Sequence, residues 1–313
     1  MDIDLGDGIT CIDAEYIKER HTCFYLIEHA GLLAVVETGA SGSVGILQRV
    51  LEQRGLKAEQ VRYVIPTHVH LDHAGGAGAM MKACSHARLV VHPKGERHLI
   101  DPTKLIAGAK TVYGEKAFAE LYGEVLPVDQ ARVISAEDGL QIDLGGRLLE
   151  IRHTPGHADH HFCVWDQLSR SWFSGDVFGL SYPEQRFPEG DFIIPTTTPV
   201  QADPDKLVQS VRLLERYRPE RFLLTHFSEI HYSVELANLL CEQIEAYRQI
   251  AIDNRDAENR ATVIEEKLSA YTLEKIDRYQ HVQSLAFYHD LLALDINLNA
   301  QGLDVWLSRQ AVN

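Results

Sequence analysis

The sequence has few cysteines and few basic residues, and it has no long apolar run. Its five cysteines lie far apart, are odd in number and form no C-x-x-C motif, which argues against a disulfide framework. Lys and Arg total 30 against 45 Asp and Glu, a net charge of −15, so nucleic acid and anionic membrane surfaces are poor partners. No apolar stretch approaches the ~20 residues of a membrane helix, and no signal peptide is visible. We therefore expect a cytoplasmic protein that acts on a small molecule.

The chain is long enough for one large domain with an appendage. It has 313 residues, of which 45% are hydrophobic, so a sizeable core can form. We expect a catalytic domain over residues 1–250, with a helical insertion at about 94–130, and a helical C-terminal extension over 251–313. Apolar side chains in this extension, such as Trp306, could form a homodimer interface or pack on the core of the same chain.

Apolar runs typical of strands alternate with segments of helical periodicity. The predicted strands are residues 24–27, 32–36, 61–65, 89–91, 140–142, 148–152, 162–165, 171–173 and 221–224. The predicted helices are residues 44–55, 75–83 and 205–217, followed by an almost wholly helical region beyond residue 233 with a break at 254–258. This alternation in both halves of the chain suits two similar layers of strands and helices.

The motif T-H-V-H-L-D-H at residues 67–73 is the most informative feature that the sequence does contain. It places His68, His70, Asp72 and His73 immediately after an apolar run that we expect to form a strand. Imidazole and carboxylate are the side-chain groups that bind zinc, iron and manganese best in the absence of sulfur. The crowding of four such groups in one loop therefore predicts a metal site.

Three later segments place a further imidazole or carboxylate directly after a predicted strand. His157 ends the motif T-P-G-H, Asp176 ends S-G-D, and His226 ends T-H. Open sheets with helices build their binding sites where strands give way to loops. A single histidine at such a position is usually incidental, but three events in a chain that already holds the first motif predict a shared site.

These four motifs, in this order and spacing, resemble those of the metallo-β-lactamase superfamily over roughly residues 15–230. The most similar branch is that of glyoxalase II and the acyl-homoserine lactonases. The resemblance implies an α+β fold, a four-layer αβ/βα sandwich of two sheets with helices outside and metals at one edge. The helical C-terminal extension would be an appendage to this fold.

The resemblance also implies a set of metal ligands. It assigns His68, His70 and His157 to one ion, Asp72, His73 and His226 to a second ion, and Asp176 as the bridge between them. Zinc is the first expectation, with iron or manganese as alternatives, because ligand type alone does not select the metal. Two such ions would hold a hydroxide between them, and Asp72 would orient this hydroxide by a hydrogen bond.

The predicted function is that of a dinuclear metal-dependent hydrolase. A metal-bridging hydroxide would attack the carbonyl of an ester, thioester or lactone. The alternative is an iron-dependent oxidoreductase of the same fold, similar to persulfide dioxygenases or to diiron oxygen-binding proteins. His70 argues against the diiron class, which usually carries Glu at this position.

Several side chains near these motifs have roles that the sequence leaves open. Tyr182 could polarise a substrate carbonyl or be a buried aromatic residue with a hydrated hydroxyl. Glu37 stands where the superfamily usually has Asp, and it could orient a ligand histidine or cap a loop. His160 and His161 are expected to support the site without binding metal. The insertion at 94–130 could cap the site or lie on the surface.

Overall fold

The computed structural model describes residues 2–310 of the chain, which divide into two compact units. Over these residues, the first unit comprises 2–153, 160–175 and 220–229. The second unit comprises 154–159, 176–219 and 230–310. The division into a catalytic domain over residues 1–250 and an extension over 251–313 stays a prediction.

A seven-stranded sheet forms one layer of the first unit. In sheet order, its strands are β1 (Asp2–Asp4), β2 (Ile9–Asp13), β3 (Cys23–His29), β4 (Leu32–Val36), β5 (Val61–Ile65), β6 (Arg88–Val91) and β7 (Val133–Ser135). Pairing is antiparallel from β1 to β4 and parallel from β4 to β7. Strands β4 and β6 bury all but their first residue, as expected where both faces of a strand are covered, whereas β7 is partly exposed.

Six helices belong to the same unit: α1 (Ser43–Gln53), α2 (Leu71–Ala74), α3 (Ala77–Ala83), α4 (Glu96–Ile100), α5 (Thr103–Tyr113) and α6 (Glu115–Tyr122). Helix α1 is amphipathic and buries Leu47 and Val50 against the sheet. The predicted insertion is helical over α4 to α6. Phe118 and Tyr122 of α6 join the hydrophobic core, so this segment packs on the unit.

A second sheet of the first unit contains β8 (Gln141–Leu144), β9 (Arg147–His153), β10 (Phe162–Asp166), β11 (Ser171–Gly175), β14 (Arg221–Leu224) and β15 (Ser228–His231). Its order is β15-β14-β11-β10-β9-β8, with β11 and β14 parallel. The two sheets pack through aromatic residues, since the rings of Tyr25 and Phe173 lie 5.2 Å apart. The hydroxyl of Tyr25 donates to the carbonyl oxygen of Leu224.

The second unit contains the hairpin of β12 (Arg186–Phe187) and β13 (Gly190–Asp191) and the helices α7 (Pro204–Glu215), α8 (Val234–Asp253), α9 (Arg260–Ile276) and α10 (Leu285–Gln310). Helix α7 begins with an Asp203 side chain that accepts from the Lys206 amide, and α8 begins with a Ser233 side chain that accepts from the Leu236 amide. Each such cap stabilises a helix by about 1 kcal/mol. The break predicted at 254–258 is confirmed, because it lies between α8 and α9.

The mixed α+β class is confirmed, and the strands predicted at 61–65 and 221–224 have those bounds in the structure. The helix predicted at 75–83 begins later, at Ala77, with the separate turn α2 before it. The interruption lies at Gly76, whose amide donates to the carbonyl oxygen of Gly39 at 2.8 Å instead of continuing α2. A Cβ atom at this position would lie 2.6 Å from the Thr38 carbonyl oxygen, so the close approach requires glycine. Among residues 2–310, the helices lack the combination of length and apolar character that crossing a bilayer requires.

Candidate metal centre

The loop after β5 brings four of the predicted ligands together in the first unit. His70 is the last extended residue before α2, and Asp72 and His73 lie in the first turn of that helix. His68 and His73 are fully buried, whereas the Asp72 side chain is 22% exposed. The Nε2 atom of His68 lies 2.9 Å from Nδ1 of His70. The loop thus buries His68 and His73, whereas His70 and Asp72 remain partly exposed.

His226, which follows β14, joins the same group from a distant part of the sequence. The Oδ2 atom of Asp72 lies 3.3 Å from Nε2 of His226 and 3.5 Å from Nε2 of His73. One potential donor atom from each of these three residues lies within 4.8 Å of the others. Because zinc–ligand distances are about 2.0–2.2 Å, small side-chain adjustments allow these donors to share one ion.

Glu37 is the buried carboxylate behind this group. Its side chain, 1% exposed, accepts from Nδ1 of His73 at 3.0 Å and from Oγ1 of Thr225 at 3.0 Å. It also accepts from the amide of Thr67 at 3.1 Å and from the Thr67 hydroxyl at 2.5 Å. Both interpretations of Glu37 therefore have a contact in the structure: it orients a histidine and it ties down two loops.

These contacts decide which nitrogen of each histidine carries a proton. The Thr67 hydroxyl donates its hydrogen to Glu37, so its oxygen accepts from Nδ1 of His68, 3.1 Å away. The carboxylate of Glu37 can only accept, so His73 also carries a proton on Nδ1. Both imidazoles consequently turn Nε2 towards the other predicted ligands.

The remaining two predicted ligands, His157 and Asp176, lie together in the second unit. Nε2 of His157 is 3.4 Å from Oδ2 of Asp176, and both side chains are buried. Nδ1 of His157 donates to the carbonyl oxygen of Thr196 at 2.9 Å, and the Thr196 hydroxyl donates to the Asp176 carbonyl at 2.5 Å. The structure thus forms one group of five ligands and one group of two, and their union in one centre stays a prediction.

His160 and His161 are buried next to the first group. The ring of His161 lies 4.8 Å from that of His68, and the ring of His160 lies 5.7 Å from that of His70. The amide of Val69 donates to Nδ1 of His160 at 3.5 Å. Neither histidine takes part in the potential ligand groups found among the described residues, which agrees with the supporting role expected for both.

A further imidazole pair, His92 and His153, lies outside the predicted ligand set with ring centroids 4.0 Å apart. The pKa of His92 is lowered to about 3, mainly by burial and to a smaller extent by the neighbouring His153, His160 and Lys94. Nδ1 of His92 accepts from the amide of Lys94 at 3.0 Å. His92 is therefore a neutral acceptor at physiological pH.

Tyr182 lies in the second unit with its side chain fully buried. Its hydroxyl donates to the carboxylate of Asp295 on α10, at 3.2 Å from Oδ2. This contact favours a structural role for Tyr182, while the catalytic role stays a prediction. Sequence reasoning did not single out Asp295 or Asn299, although two polar residues four apart on the apolar face of a helix are a signal that could have identified them.

A family model described as the metallo-beta-lactamase superfamily matches residues 19–226. The curated protein ST1585 of Sulfurisphaera tokodaii, described as metallo-beta-lactamase fold-containing, is 28% identical over 173 residues, 54% of this chain and 59% of its own. The human acyl-coenzyme A thioesterase MBLAC2 is 26% identical over 187 residues, 55% of this chain and 64% of its own. The chain thus spans less than two thirds of the length of these relatives.

Solved structures resemble the chain over nearly its whole length. The metallo-beta-lactamase family protein TTHA1429 of Thermus thermophilus has a TM-score of 0.68 and 19% identity, covering 98% of this chain and 95% of its own. At this identity the likeness concerns the fold alone. It extends over both sheets and the C-terminal helices.

Proposed function

Because the chain belongs to the metallo-beta-lactamase superfamily and has its fold, we propose that it is a hydrolase that uses two divalent metal ions to cleave an ester, thioester or lactone. The ions would be zinc in the first instance, with iron or manganese as alternatives. The seven residues that would hold them are His68, His70, Asp72, His73, His157, Asp176 and His226.

The observation that carries this proposal is the orientation of two imidazole–carboxylate pairs. His73 donates Nδ1–H to Glu37 and turns Nε2 to Asp72, and His157 donates Nδ1–H to Thr196 and turns Nε2 to Asp176. In each pair a nitrogen lone pair faces a carboxylate oxygen. Two such electron-rich atoms repel unless a cation or a proton lies between them. Metal-binding histidines typically have this arrangement, with the outer nitrogen donating to oxygen.

Divalent ions bound to these residues would lower the pKa of a coordinated water molecule towards ~7 and polarise a substrate carbonyl. The side chains have separate tasks in this chemistry. Asp72 is the most solvent-exposed carboxylate of the set and would hold the attacking water by a hydrogen bond. Asp176 offers two oxygens, which suits a bridging position, whereas an imidazole offers one lone pair at a time.

Among the possible substrates, thioesters are the first to test. The human relative is described as an acyl-coenzyme A thioesterase, although the similarity covers 55% of this chain. The compact H-x-H-x-D-H motif of residues 68–73 does not by itself choose between thioesters and lactones, because it resembles that of both glyoxalase II and the acyl-homoserine lactonases. Esters and lactones present the same carbonyl chemistry and belong in the same screen.

The test is elemental analysis of the purified protein, followed by a screen of thioesters, esters and lactones with the metal that is found. We expect about two ions per chain and turnover of at least one class. Asp72→Asn should lower kcat by about 10²–10⁴, the usual contribution of a group that handles a proton in the transition state. The ligand set is tested with His226→Gln, which should lose metal and activity. Its matched control is His231→Gln, since His231 is exposed and only five residues from His226.

The same experiment separates the hydrolase from the alternative. Iron as the native metal, together with oxygen uptake on a persulfide and no ester or thioester cleavage, would replace the hydrolase with an iron-dependent oxidoreductase. Full metal content and full activity in His226→Gln would remove His226 from the ligand set. Absence of turnover across all three substrate classes in metal-loaded protein would overturn the proposed reaction.

A further inference from the structure

The last helix of the second unit, α10, turns the polar side chain of Asn299 towards residues 195–197. Thr196 in this segment accepts a hydrogen bond from His157. Most of the buried residues of α10 are apolar, but Asn299 is only 1% exposed. A buried amide is costly unless its donor and acceptor atoms are hydrogen-bonded. The partners of Asn299 therefore indicate what the residue is for.

Both ends of the Asn299 amide bind the backbone of residues 195–197. Oδ1 accepts from the amide of Thr197 and, at 2.9 Å, from the Thr197 hydroxyl. Nδ2 donates to the carbonyl oxygen of Pro195 at 2.9 Å. The side chain thus brackets Thr196, binding the main chain on either side of it as a neighbouring strand would.

One peptide unit connects Asn299 to His157. The amide of Thr197 and the carbonyl of Thr196 belong to the same planar peptide group, and in a trans peptide they point in opposite directions. Asn299 receives the N–H on one side, and Nδ1 of His157 donates to the C=O on the other side at 2.9 Å. Hydrogen bonds in such a chain polarise and orient one another. Asn299 therefore fixes the direction of the carbonyl that His157 requires.

Gly302, one helical turn after Asn299, sets the separation between the helix and this peptide. A Cβ atom at Gly302 would overlap the carbonyl oxygen of Thr197. The helix backbone consequently lies directly against residues 197 and 198. Glycine is unfavourable within a helix, and this close approach is the packing reason for it.

We infer that Asn299 is a positioning residue for the metal ligand His157: through the Thr196–Thr197 peptide, it holds the imidazole in its Nδ1–H form with Nε2 available to a cation. The inference rests on the proposed metal-binding function. It gives α10 a role in the affinity for metal that its position near the C-terminus does not suggest. Loss of the group that binds the outer nitrogen of a metal-binding histidine costs about 10–100-fold in metal affinity. Asn299 is one hydrogen bond further from His157, so we expect its loss to weaken metal binding about 10-fold.

The test compares three variants in the full chain. Asn299→Leu has a similar volume and removes both hydrogen-bonding groups, whereas Asn299→Asp keeps the acceptor for the Thr197 amide. Asn297→Leu is the control, because Asn297 lies on the same helix and donates to Glu265 of α9 at 2.7 Å. Cobalt(II) affinity is measured by chelator competition, and the tautomer of His157 by ¹⁵N NMR of the metal-free protein, with His157→Gln for assignment.

We expect Asn299→Leu to bind cobalt about 10-fold more weakly and to lose the Nδ1–H signal of His157. Asn299→Asp should recover most of the affinity, and Asn297→Leu should match the wild type. If Asn299→Leu does not fold, the wild type alone decides: an Nε2–H tautomer of His157 in the metal-free protein would overturn the inference. Unchanged affinity and tautomer in a folded Asn299→Leu would do the same. Neither readout uses hydrolysis, so loss of the proposed reaction alone leaves the inference standing.

Discussion

Nδ1 of His73 lies 3.0 Å from Oε1 of Glu37, a buried contact between residues 36 positions apart in the chain. The same carboxylate receives the Thr67 hydroxyl, whose oxygen in turn accepts from Nδ1 of His68. One side chain thereby orients two predicted ligands, His73 directly and His68 through Thr67. The Glu37 carboxylate also accepts from the Thr225 hydroxyl at 3.0 Å, so it joins three segments of the chain.

The first prediction concerns this carboxylate. Glu37→Gln replaces an acceptor oxygen with a donor NH₂ group, which cannot satisfy all the donors that Glu37 binds. We expect a 10–100-fold loss of metal affinity, because outer partners of ligand histidines contribute this much. The free energy of unfolding should fall by about 1–3 kcal/mol, the cost of a buried group without a partner. Chelator competition and urea denaturation measure the two effects.

The control for this variant is Glu28→Gln, a change of the same chemistry at an exposed position of β3. It should leave both quantities within experimental error. Equal metal affinity in Glu37→Gln and the wild type would show that Glu37 only ties loops together.

The second prediction concerns Tyr182, which is fully buried and donates to Asp295. Tyr182→Phe removes a hydrogen bond to a charged group, so the free energy of unfolding should fall by about 1.5–3 kcal/mol. The ratio kcat/KM should stay close to that of the wild type at temperatures where both proteins are folded. Tyr63→Phe is the control, because the Tyr63 hydroxyl donates at 3.3 Å to an exposed carbonyl. A 100-fold loss of kcat at unchanged stability would instead establish Tyr182 as catalytic.

The third prediction is a pH dependence of stability that originates at His92. Its pKa is lowered in the folded protein to about 3 from an ordinary value of 6.5. The unfolded chain therefore binds a proton that the folded chain does not. The resulting stabilisation is fully present above pH 6.5, and it is lost as the pH falls from 6.5 towards 3.

His92→Asn tests this dependence, since its side-chain oxygen can still accept from the Lys94 amide and does not titrate. The difference in unfolding free energy between the wild type and His92→Asn should shrink steadily as the pH falls from 6.5 to 4.5. The exposed His86→Asn should show a constant difference from the wild type over this range. A gap for His92→Asn that is independent of pH would contradict the lowered pKa.

The predictable part of the site is local in the sequence. His68, His70, Asp72 and His73 fall within six residues after an apolar strand, so their proximity follows from the chain itself. The remaining relationships are long-range. Glu37 meets Thr225 across 188 positions, and Thr197 meets Asn299 across 102. Periodicity and composition describe each element separately and cannot pair side chains at such separations.

The bounds of the helices and strands are likewise predictable only where they depend on the local sequence. The apolar runs predict β5 and β14 with the bounds seen in the structure, because both strands are short and mostly apolar, apart from Arg62 and Arg221. Helix α3 begins two residues later than predicted, because the Gly76 amide donates to the carbonyl oxygen of Gly39, a contact that the local pattern does not reveal. Tertiary contacts of single residues thus decide where elements begin, and also which polar residues of α10 become buried.

The fourth prediction is that metal stabilises the folded chain through Asp72, His73 and His226. An unfolded chain does not hold these three side chains together, so binding favours the folded state by RT ln(1 + [metal]/Kd). At a free metal concentration 100 times Kd, the free energy of unfolding should rise by about 2.7 kcal/mol over the chelated protein, and the melting temperature should depend on metal concentration.

The variant His226→Gln should show a smaller rise in the free energy of unfolding, since one donor within 4.8 Å of the other two is lost. His231→Gln should rise like the wild type. If chelation leaves the melting temperature unchanged at every metal concentration, these side chains do not hold an ion in the folded protein.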